Sequence, residues 1–174
     1  MKLGFNGATT MTSPFETDVR IAGQAGYDVL EITAIKLDKY LLTHTLADAR
    51  KLIDAAKLKT HAINSIEQIN TRDATLRNKM LARTQQISER CNALNCPWII
   101  ADINDVEKMP REFIEDANRV FPGDGVIPLK EIIRAVRGIG YRGVASVEIF
   151  RPAYWRRQPL AVAKEAFLKS KKYI

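Results

Sequence analysis

The feature that most constrains the fold is a regular alternation of short apolar segments with longer amphipathic ones. Five segments have the length and composition of β-strands: 2–7, 27–32, 60–66, 96–103 and the stretch that opens at Gly143. Apolar residues recur at helical spacing in the segments between and after them, at about 14–25, 46–57, 73–95, 128–138 and 160–172. Strands that alternate with helices form parallel sheets covered by helices. The sequence therefore predicts an α/β fold of five βα units.

Local signals mark the ends of the predicted helices. Ser13 and Pro14, followed by Glu16, have the form of an N-cap with a capping box, and Gly26 is a stop signal. Thr45 has the form of an N-cap for the second helix. No linker or low-complexity tract divides the 174 residues, and 46% of them are hydrophobic, which is enough to form a core. We therefore expect a single domain over residues 1–174.

Charge and cysteine content limit the classes of partner and location. The net charge of +7, with a pI near 9.5, favours anionic partners, although the cations are scattered as on a solvated surface. Cys91 and Cys96 fit neither a metal nor a redox spacing, and we expect reduced thiols in a cytoplasmic protein. The first residues lack the apolar core of a signal peptide. No apolar run reaches the roughly 18 residues of a membrane span, so no membrane partner is expected.

Polar side chains collect at the carboxyl ends of the predicted strands, the edge where α/β proteins bind their ligands. They are Asn6, Glu31, Asn64, Ser65, Glu67, Asp102, Asn104, Asp105 and Glu148. Several carboxylates at one edge suggest a divalent metal held by oxygen ligands. The only histidine within a predicted strand, His61, is more typical of a packed residue than of a ligand.

The fifth strand and the loop after it, GVASVEIFRPAYW, form the most informative stretch of the chain. Glu148 ends an apolar strand, and a loop of cations and rings follows, with Arg151 and Trp155 among them. This pattern is typical of a binding site at the mouth of an α/β fold. The alternative interpretation is that Glu148 pairs at the rim with one of the arginines of this loop, because ion pairs are common where charges are dense.

Several motifs, taken together, resemble one enzyme family. FNGATTMTSP, YDVLEITAIKLDKYL, AINSIE, INDVEKMPRE and the run from PGDGVIPLKEIIRAVRGIGYRG through VASVEIFRPAYW are similar to the sugar phosphate isomerase/epimerase family. The resemblance covers nearly the whole chain, and its C-terminal block is the more specific one. It implies a xylose isomerase-like TIM barrel that acts on small sugars or sugar phosphates.

The resemblance also implies that the centre of the barrel is missing. A complete TIM barrel has eight strands and about 250 residues. The segment expected between CPWII and ADINDVE is absent, so the fourth strand resembles a fusion of the family's fourth strand with its seventh. Five strands can close into a small, strongly tilted barrel, remain an open sheet, or form a half-barrel that a second copy completes. Because unpaired strand edges are a liability, we expect closure or a homodimer rather than an isolated open sheet.

The loss of the middle strands alters the metal site that the resemblance implies. The family binds one divalent ion through Glu, Asp, His and Glu, of which Glu148 matches the last, while Asp102 stands in place of the histidine. The resemblance therefore implies a divalent ion (Mn, Mg, Co or Zn) that is weakly bound to Glu148 and Asp102, or absent. The family uses two glutamates for proton transfer, and Glu148 is the one retained.

Three functions follow as hypotheses. The first is an isomerase or epimerase with Glu148 as the catalytic residue and with substrate contacts from Asn6, Glu31, Asn64, Arg151 and Trp155. The second, of equal weight, is a catalytically inactive binding or structural protein that keeps the barrel rim without its chemistry. The third, nucleic-acid binding, is disfavoured because His44 and His61 cannot supply the zinc cluster of the distantly similar endonuclease IV.

Overall fold

The computed structural model of the chain describes residues 1–67, 73–101, 117, 119–125, 129–138, 140 and 142–174. Its strands are β1 (Lys2–Asn6), β2 (Val29–Thr33), β3 (Lys59–Ile66), β4 (Trp98–Ala101) and β5 (Val144–Val147). They pair in parallel in the order β4-β3-β2-β1-β5. The five predicted strands and their parallel arrangement are therefore confirmed.

The helices alternate with the strands along the chain. They are α1 (Phe15–Ala25), α2 (Ala34–Tyr40), α3 (Leu46–Ala55), α4 (Ala74–Ala93), α5 (Leu129–Gly138), α6 (Pro152–Trp155) and α7 (Pro159–Ser170). A 3-10 turn (Gly7–Thr10) follows β1 directly. The sequence does not predict α2, α6 or this turn, which lie outside the segments predicted to be helical. Among the described helices, none is long and apolar enough to cross a membrane.

Two of the three predicted helix-end signals are confirmed. Gly26 ends α1 in the left-handed conformation, with φ of 93°, and Thr45 forms a capping box with Asp48 at the start of α3. The predicted cap at Ser13 is wrong, because Pro14 occupies the N-cap position and no side chain caps α1. The Ser13 backbone N–H instead donates to the carbonyl oxygen of Thr10 at 2.8 Å, so Ser13 belongs to the preceding turn.

The hydrophobic core lies between the sheet and its helices. Alternate residues of the strands point to the helices, and Phe5, Ile32 and Ile63 are each no more than 1% exposed. They belong to one cluster with apolar residues of four helices, Val19 and Ile21 of α1, Ile53 of α3, Ile87 of α4 and Val162 of α7. Burial of each such side chain stabilises the fold by roughly 1.5–3 kcal/mol. The opposite face of the strands presents polar side chains, among them Asn6, Glu31 and Asn64.

The sheet curls around that opposite, concave face. A Cβ atom on Gly4 would lie 3.1 Å from Val29 Cγ2 and 3.1 Å from Val144 Cγ1, so the glycine allows β2 and β5 to fold over β1. Within the described residues, β4 and β5 lie at the two ends of the sheet and do not pair with each other. The described part of the chain is therefore a curled half-barrel, and the closed five-strand alternative is not the arrangement it has.

Candidate active site

Four of the predicted site residues meet at the carboxyl end of the half-barrel. Asn6 ends β1, Glu31 lies in β2, Asn64 lies in β3, and Glu148 follows β5 directly. The register pairs Asn6 with Glu31 and Thr33 with Asn64, which brings the strand ends side by side. The last three of these residues line a cleft of about 1040 Å³.

Two carboxylates of the cleft, Glu31 and Glu148, share one hydrogen-bond donor. Asn64 Nδ2 donates to Glu31 Oε1 at 3.1 Å and to Glu148 Oε1 at 3.0 Å. Glu31 Oε2 accepts a second hydrogen bond from the Ser146 hydroxyl at 2.7 Å. Glu31 and Glu148 are therefore held close together, although they are far apart in the sequence.

The orientation of Asn6 follows from its position before the 3-10 turn. Its Oδ1 accepts a hydrogen bond from the Ala8 backbone N–H at 2.8 Å and so caps the turn. The amide nitrogen is then directed to the other side and donates to Glu148 Oε1 at 3.0 Å. A local capping interaction therefore fixes a donor at the carboxylate of a residue near the other end of the chain.

A buried ion pair between Lys36 and Asp18 stabilises the 3-10 turn. Lys36 Nζ donates to the carbonyl oxygens of Gly7 and Thr10, each at 2.8 Å, and to Asp18 Oδ2 at 2.6 Å. Both side chains of the pair are buried. Burial raises the pKa of Asp18 to about 7 and lowers that of Lys36, because desolvation disfavours each charge. Two of the three donors of the ammonium group therefore bind the turn that follows Asn6, and the third binds Asp18.

Arg119 is a site residue that the sequence reading missed. Its Nη1 donates to Glu148 Oε2 at 3.0 Å, and its Cζ lies 5.5 Å from the centre of the Phe150 ring. Both Arg119 and Glu148 line the cleft, together with Ser146, which was also missed. Arg119 lies in a long polar connection without periodicity, so no local pattern marked it. The alternative interpretation, that an arginine of the loop after Glu148 pairs with it, named the right type of contact, but the arginine that makes it is Arg119, outside that loop.

Comparisons with known proteins give sequence relatives of one kind. An inosose isomerase from Bacillus velezensis is 23% identical over an alignment of 266 positions, which covers 95% of this chain and 95% of the relative. An inosose isomerase from Bacillus subtilis is 41% identical over 73 residues, or 42% of this chain and 25% of the relative. No family model matches the chain. Because the first alignment has 266 positions and the chain 174 residues, it passes over positions that have no counterpart here.

Several solved structures have the same fold as this chain over nearly its whole length. A crystal structure of the IolI protein with a bound zinc atom has a TM-score of 0.83 at 23% identity, covering 99% of this chain and 96% of that one. A xylose isomerase domain containing protein from Salmonella typhimurium has a TM-score of 0.77 at 10% identity, covering 98% and 96%. The chain has a shortened form of the xylose isomerase-like TIM-barrel fold. D-psicose 3-epimerase in the presence of D-fructose, with a TM-score of 0.74 at 14% identity over 99% and 98%, has the same fold.

The strand order of the shortened barrel agrees with a loss from its middle. In a closed eight-strand barrel, the first and last strands are neighbours. Here β5, the last strand of the chain, pairs with β1 through the register Lys2 to Val144 and Phe5 to Val147. The half-barrel thus keeps the junction of first and last strands, and with it the contact between Asn6 and Glu148.

The described residues of the shortened barrel do not fit a divalent ion. Among them, no group of three or more His, Cys, Asp or Glu side chains could hold a metal. Glu148 Oε1 accepts hydrogen bonds from Asn6 and Asn64, and Glu148 Oε2 accepts one from the Arg119 cation. These three donors engage three of the roughly four lone pairs of the carboxylate, so a metal would have to displace an amide from Oε1 or share Oε2 with the Arg119 cation. The other predicted ligand, Asp102, lies outside the described residues.

The remaining two predicted substrate contacts, Arg151 and Trp155, contact Arg119 and Phe150 respectively. Arg151 Nη1 donates to the backbone carbonyl of Arg119 at 3.3 Å, and its Cζ lies 5.4 Å from the Tyr154 ring centre. The Trp155 ring packs edge-on against Phe150 at 6.3 Å, and its carbonyl accepts from the Thr12 hydroxyl. Among the described lining residues of the cleft, neither Arg151 nor Trp155 is present. Their roles as substrate contacts stay predictions.

Proposed function

We propose that the cleft binds a small sugar or sugar phosphate and isomerises or epimerises it by proton transfer, with Glu148 as the base. The observation that carries the proposal is the pair of carboxylates, Glu31 and Glu148, joined by Asn64 inside the cleft. Two carboxylates beside one bound sugar can remove a proton and return it. The fold supports the sugar class, since relatives of the chain are named inosose isomerase and D-psicose 3-epimerase.

In the proposed reaction, Glu148 removes a proton from a carbon next to a carbonyl group of the sugar. Negative charge then develops on the carbonyl oxygen, where a hydrogen bond from a cation or amide stabilises the transition state. Asn6 and Asn64 orient the base, and Asn64, which lines the cleft, lies next to the substrate. A protonated Glu31 delivers the second proton. Delivery to the opposite face of the same carbon gives epimerisation. Delivery to the former carbonyl carbon, while the proton of the adjacent hydroxyl group passes to the carbonyl oxygen, gives isomerisation, and exchange with solvent then restores both glutamates. In this scheme Arg151 and Trp155 position Arg119 and Phe150.

Proton exchange with solvent tests the proposal directly. Inososes, ketoses and their phosphates are incubated with the protein in D2O, and loss of the C–H signal beside the carbonyl is followed by NMR. We expect Glu148→Gln to slow exchange by roughly 10²–10⁴-fold, the contribution of a positioned general base. The matched control is Glu89→Gln, a change on the exposed face of α4, which should leave the rate unchanged. Exchange that is equally fast in Glu148→Gln would refute the role of Glu148.

A second function, ligand binding without turnover, is favoured by one observation. Both oxygens of Glu148 already accept hydrogen bonds in the structure, from Asn6, Asn64 and Arg119. A carboxylate base that already accepts three hydrogen bonds is a weaker proton acceptor. The same experiment separates the two functions, because a binding protein would perturb the NMR signals of a sugar and exchange none of its protons.

Other features of the protein stay predictions from the sequence. They are the cytoplasmic location, the homodimer, the single domain over residues 1–174 and the expectation that nucleic acid is not a partner. The divalent ion that the resemblance implies at Glu148 and Asp102, weakly bound or absent, also stays a prediction, and the proposed reaction uses no step on it.

A further inference from the structure

We infer that the Arg119 guanidinium takes the place of a metal cation beside Glu148, so that the shortened barrel handles its substrate without a resident metal. The chemistry of this inference rests on the proposed function, whereas its geometry rests on the contacts of Arg119. The solved IolI structure contains a zinc atom in the same fold. In the present chain, the positive charge nearest Glu148 among the described residues is Arg119, at 3.0 Å from Oε2.

The first argument is electrostatic. A divalent ion bound to a carboxylate oxygen lies about 2.0–2.6 Å from that oxygen. An ion on Glu148 Oε2 would therefore lie within a few ångströms of the Arg119 cation, and like charges at such distances repel strongly in a partly buried cleft. Glu148 Oε1 offers no better position, because it faces the amide N–H groups of Asn6 and Asn64.

The second argument is that the protein holds Arg119 in place. The backbone carbonyl of Arg119 accepts a hydrogen bond from Arg151, and its guanidinium lies over the Phe150 ring. Phe150 in turn packs against Trp155. A cation that is supported by an aromatic face and by a neighbouring side chain is positioned before any ligand arrives.

The third argument is access. The side chains of Arg119 and Glu148 are 38% and 31% exposed, and both line the cleft. A ligand in the cleft can therefore reach the base and the cation together. A guanidinium presents several N–H donors in one plane, so it can bind a carboxylate and a ligand oxygen at the same time. Arg119 thus supplies the charge that stabilises a developing oxyanion, the task that a metal has in metal-assisted isomerisation.

Metal binding measured by calorimetry tests the inference without an activity assay. Mn²⁺ and Zn²⁺ are titrated into wild type, Arg119→Met, Glu148→Gln and Arg157→Met. The last variant is the matched control, because Arg157 also pairs with a glutamate and lies over aromatic rings, but outside the cleft. We expect Arg119→Met to bind Mn²⁺ at least about tenfold more tightly than wild type, since a repelling charge is removed, and Arg157→Met to match wild type. Wild-type binding in the micromolar range that Glu148→Gln abolishes would overturn the inference, as would equal affinity in Arg119→Met and wild type.

The exchange assay separates this inference from the proposed function. With an active wild type, chelator should leave the exchange rate unchanged, Arg119→Met should lower it by about 10²–10³-fold as for a lost oxyanion donor, and Arg119→Lys should retain part of it. Exchange that chelator abolishes would contradict the inference and leave the proposed function standing. If wild type exchanges no sugar proton, the proposed function fails, and the metal titration alone decides whether Arg119 excludes a cation.

Discussion

Two asparagines organise the candidate site at the scale of single residues. Asn6 and Asn64 place their amide nitrogens on Glu148, and Asn64 also binds Glu31. These four residues could be predicted, because each lies at or near the carboxyl end of an apolar strand and the ends of parallel strands meet at one edge. Arg119 could not, because its position depends on the path of a connection and on Phe150 and Arg151 beside it.

The buried lysine beneath the site gives a prediction about stability. Lys36→Met should destabilise the fold by about 3 kcal/mol, because Asp18 and two carbonyl oxygens lose their donor in a buried position. The free energy of unfolding in urea measures the effect. Lys39→Met, at an exposed position on the same helix, is the control and should change stability little. An equal loss in both variants would show that the buried contacts of Lys36 do not matter.

At the scale of secondary structure elements, the sequence predicts the five described strands and the longer helices, but it does not predict α2 or α6. The segment of α2 contains Lys36 and Asp38 among its apolar residues, and this mixture of residues does not indicate a helix. Both charged residues have tertiary partners, Asp18 for the first and Arg83 with Arg90 for the second. The segment is helical because its polar side chains find partners on other elements, and such partners are not visible in a local pattern. α6 is a single turn that begins at Pro152, too short for a periodic signal.

The contact between α2 and α4 gives a prediction about pH. Burial alone would raise the pKa of Asp38, but hydrogen bonds from Arg83 and Arg90 outweigh it and hold the pKa below the usual 3.8. The folded state therefore releases this proton more readily than the unfolded state. Stability from Asp38 is full above pH 3.8 and is lost as the pH falls through the lower, folded-state pKa.

Asp38→Asn should therefore lower the stability at neutral pH and flatten its decline in acid, measured as thermal unfolding between pH 2 and pH 7, roughly the range in which carboxylates titrate. Asp54→Asn, which removes a surface pair with Arg50 whose aspartate side chain is 60% exposed, is the control and should have little effect. If stability declined equally in acid for wild type and Asp38→Asn, the ion pairs of Asp38 with Arg83 and Arg90 would have no role in it.

At the scale of the whole molecule, the resemblance predicted a barrel without its middle, and the parallel half-barrel agrees with it. Whether five strands close could not be predicted, because closure depends on strand tilt and on pairing between the terminal strands. In the described residues, β4 pairs with β3 on one side, and Trp98 at its start is 61% exposed. The register places Trp98 beside Ala62, on the same concave face as Asn64.

This exposed tryptophan gives a prediction about assembly. We expect a second copy of the chain to cover the concave face near β4, since an exposed strand edge with a large apolar side chain favours association. Light scattering should then give twice the chain mass of 19.6 kDa. Trp98→Lys should shift the protein to the monomer, whereas Leu168→Lys, a change at a 62% exposed residue of α7, should not. A monomer at all concentrations of wild type would contradict the homodimer.

The pairing of β5 with β1 has a consequence for biosynthesis. Asn6 is translated 142 residues before Glu148, yet the two side chains must be in contact before the cleft exists. Contacts so distant in the chain form slowly, because a long loop must close first. During translation, β1 therefore lacks this neighbour until β5 has been synthesised.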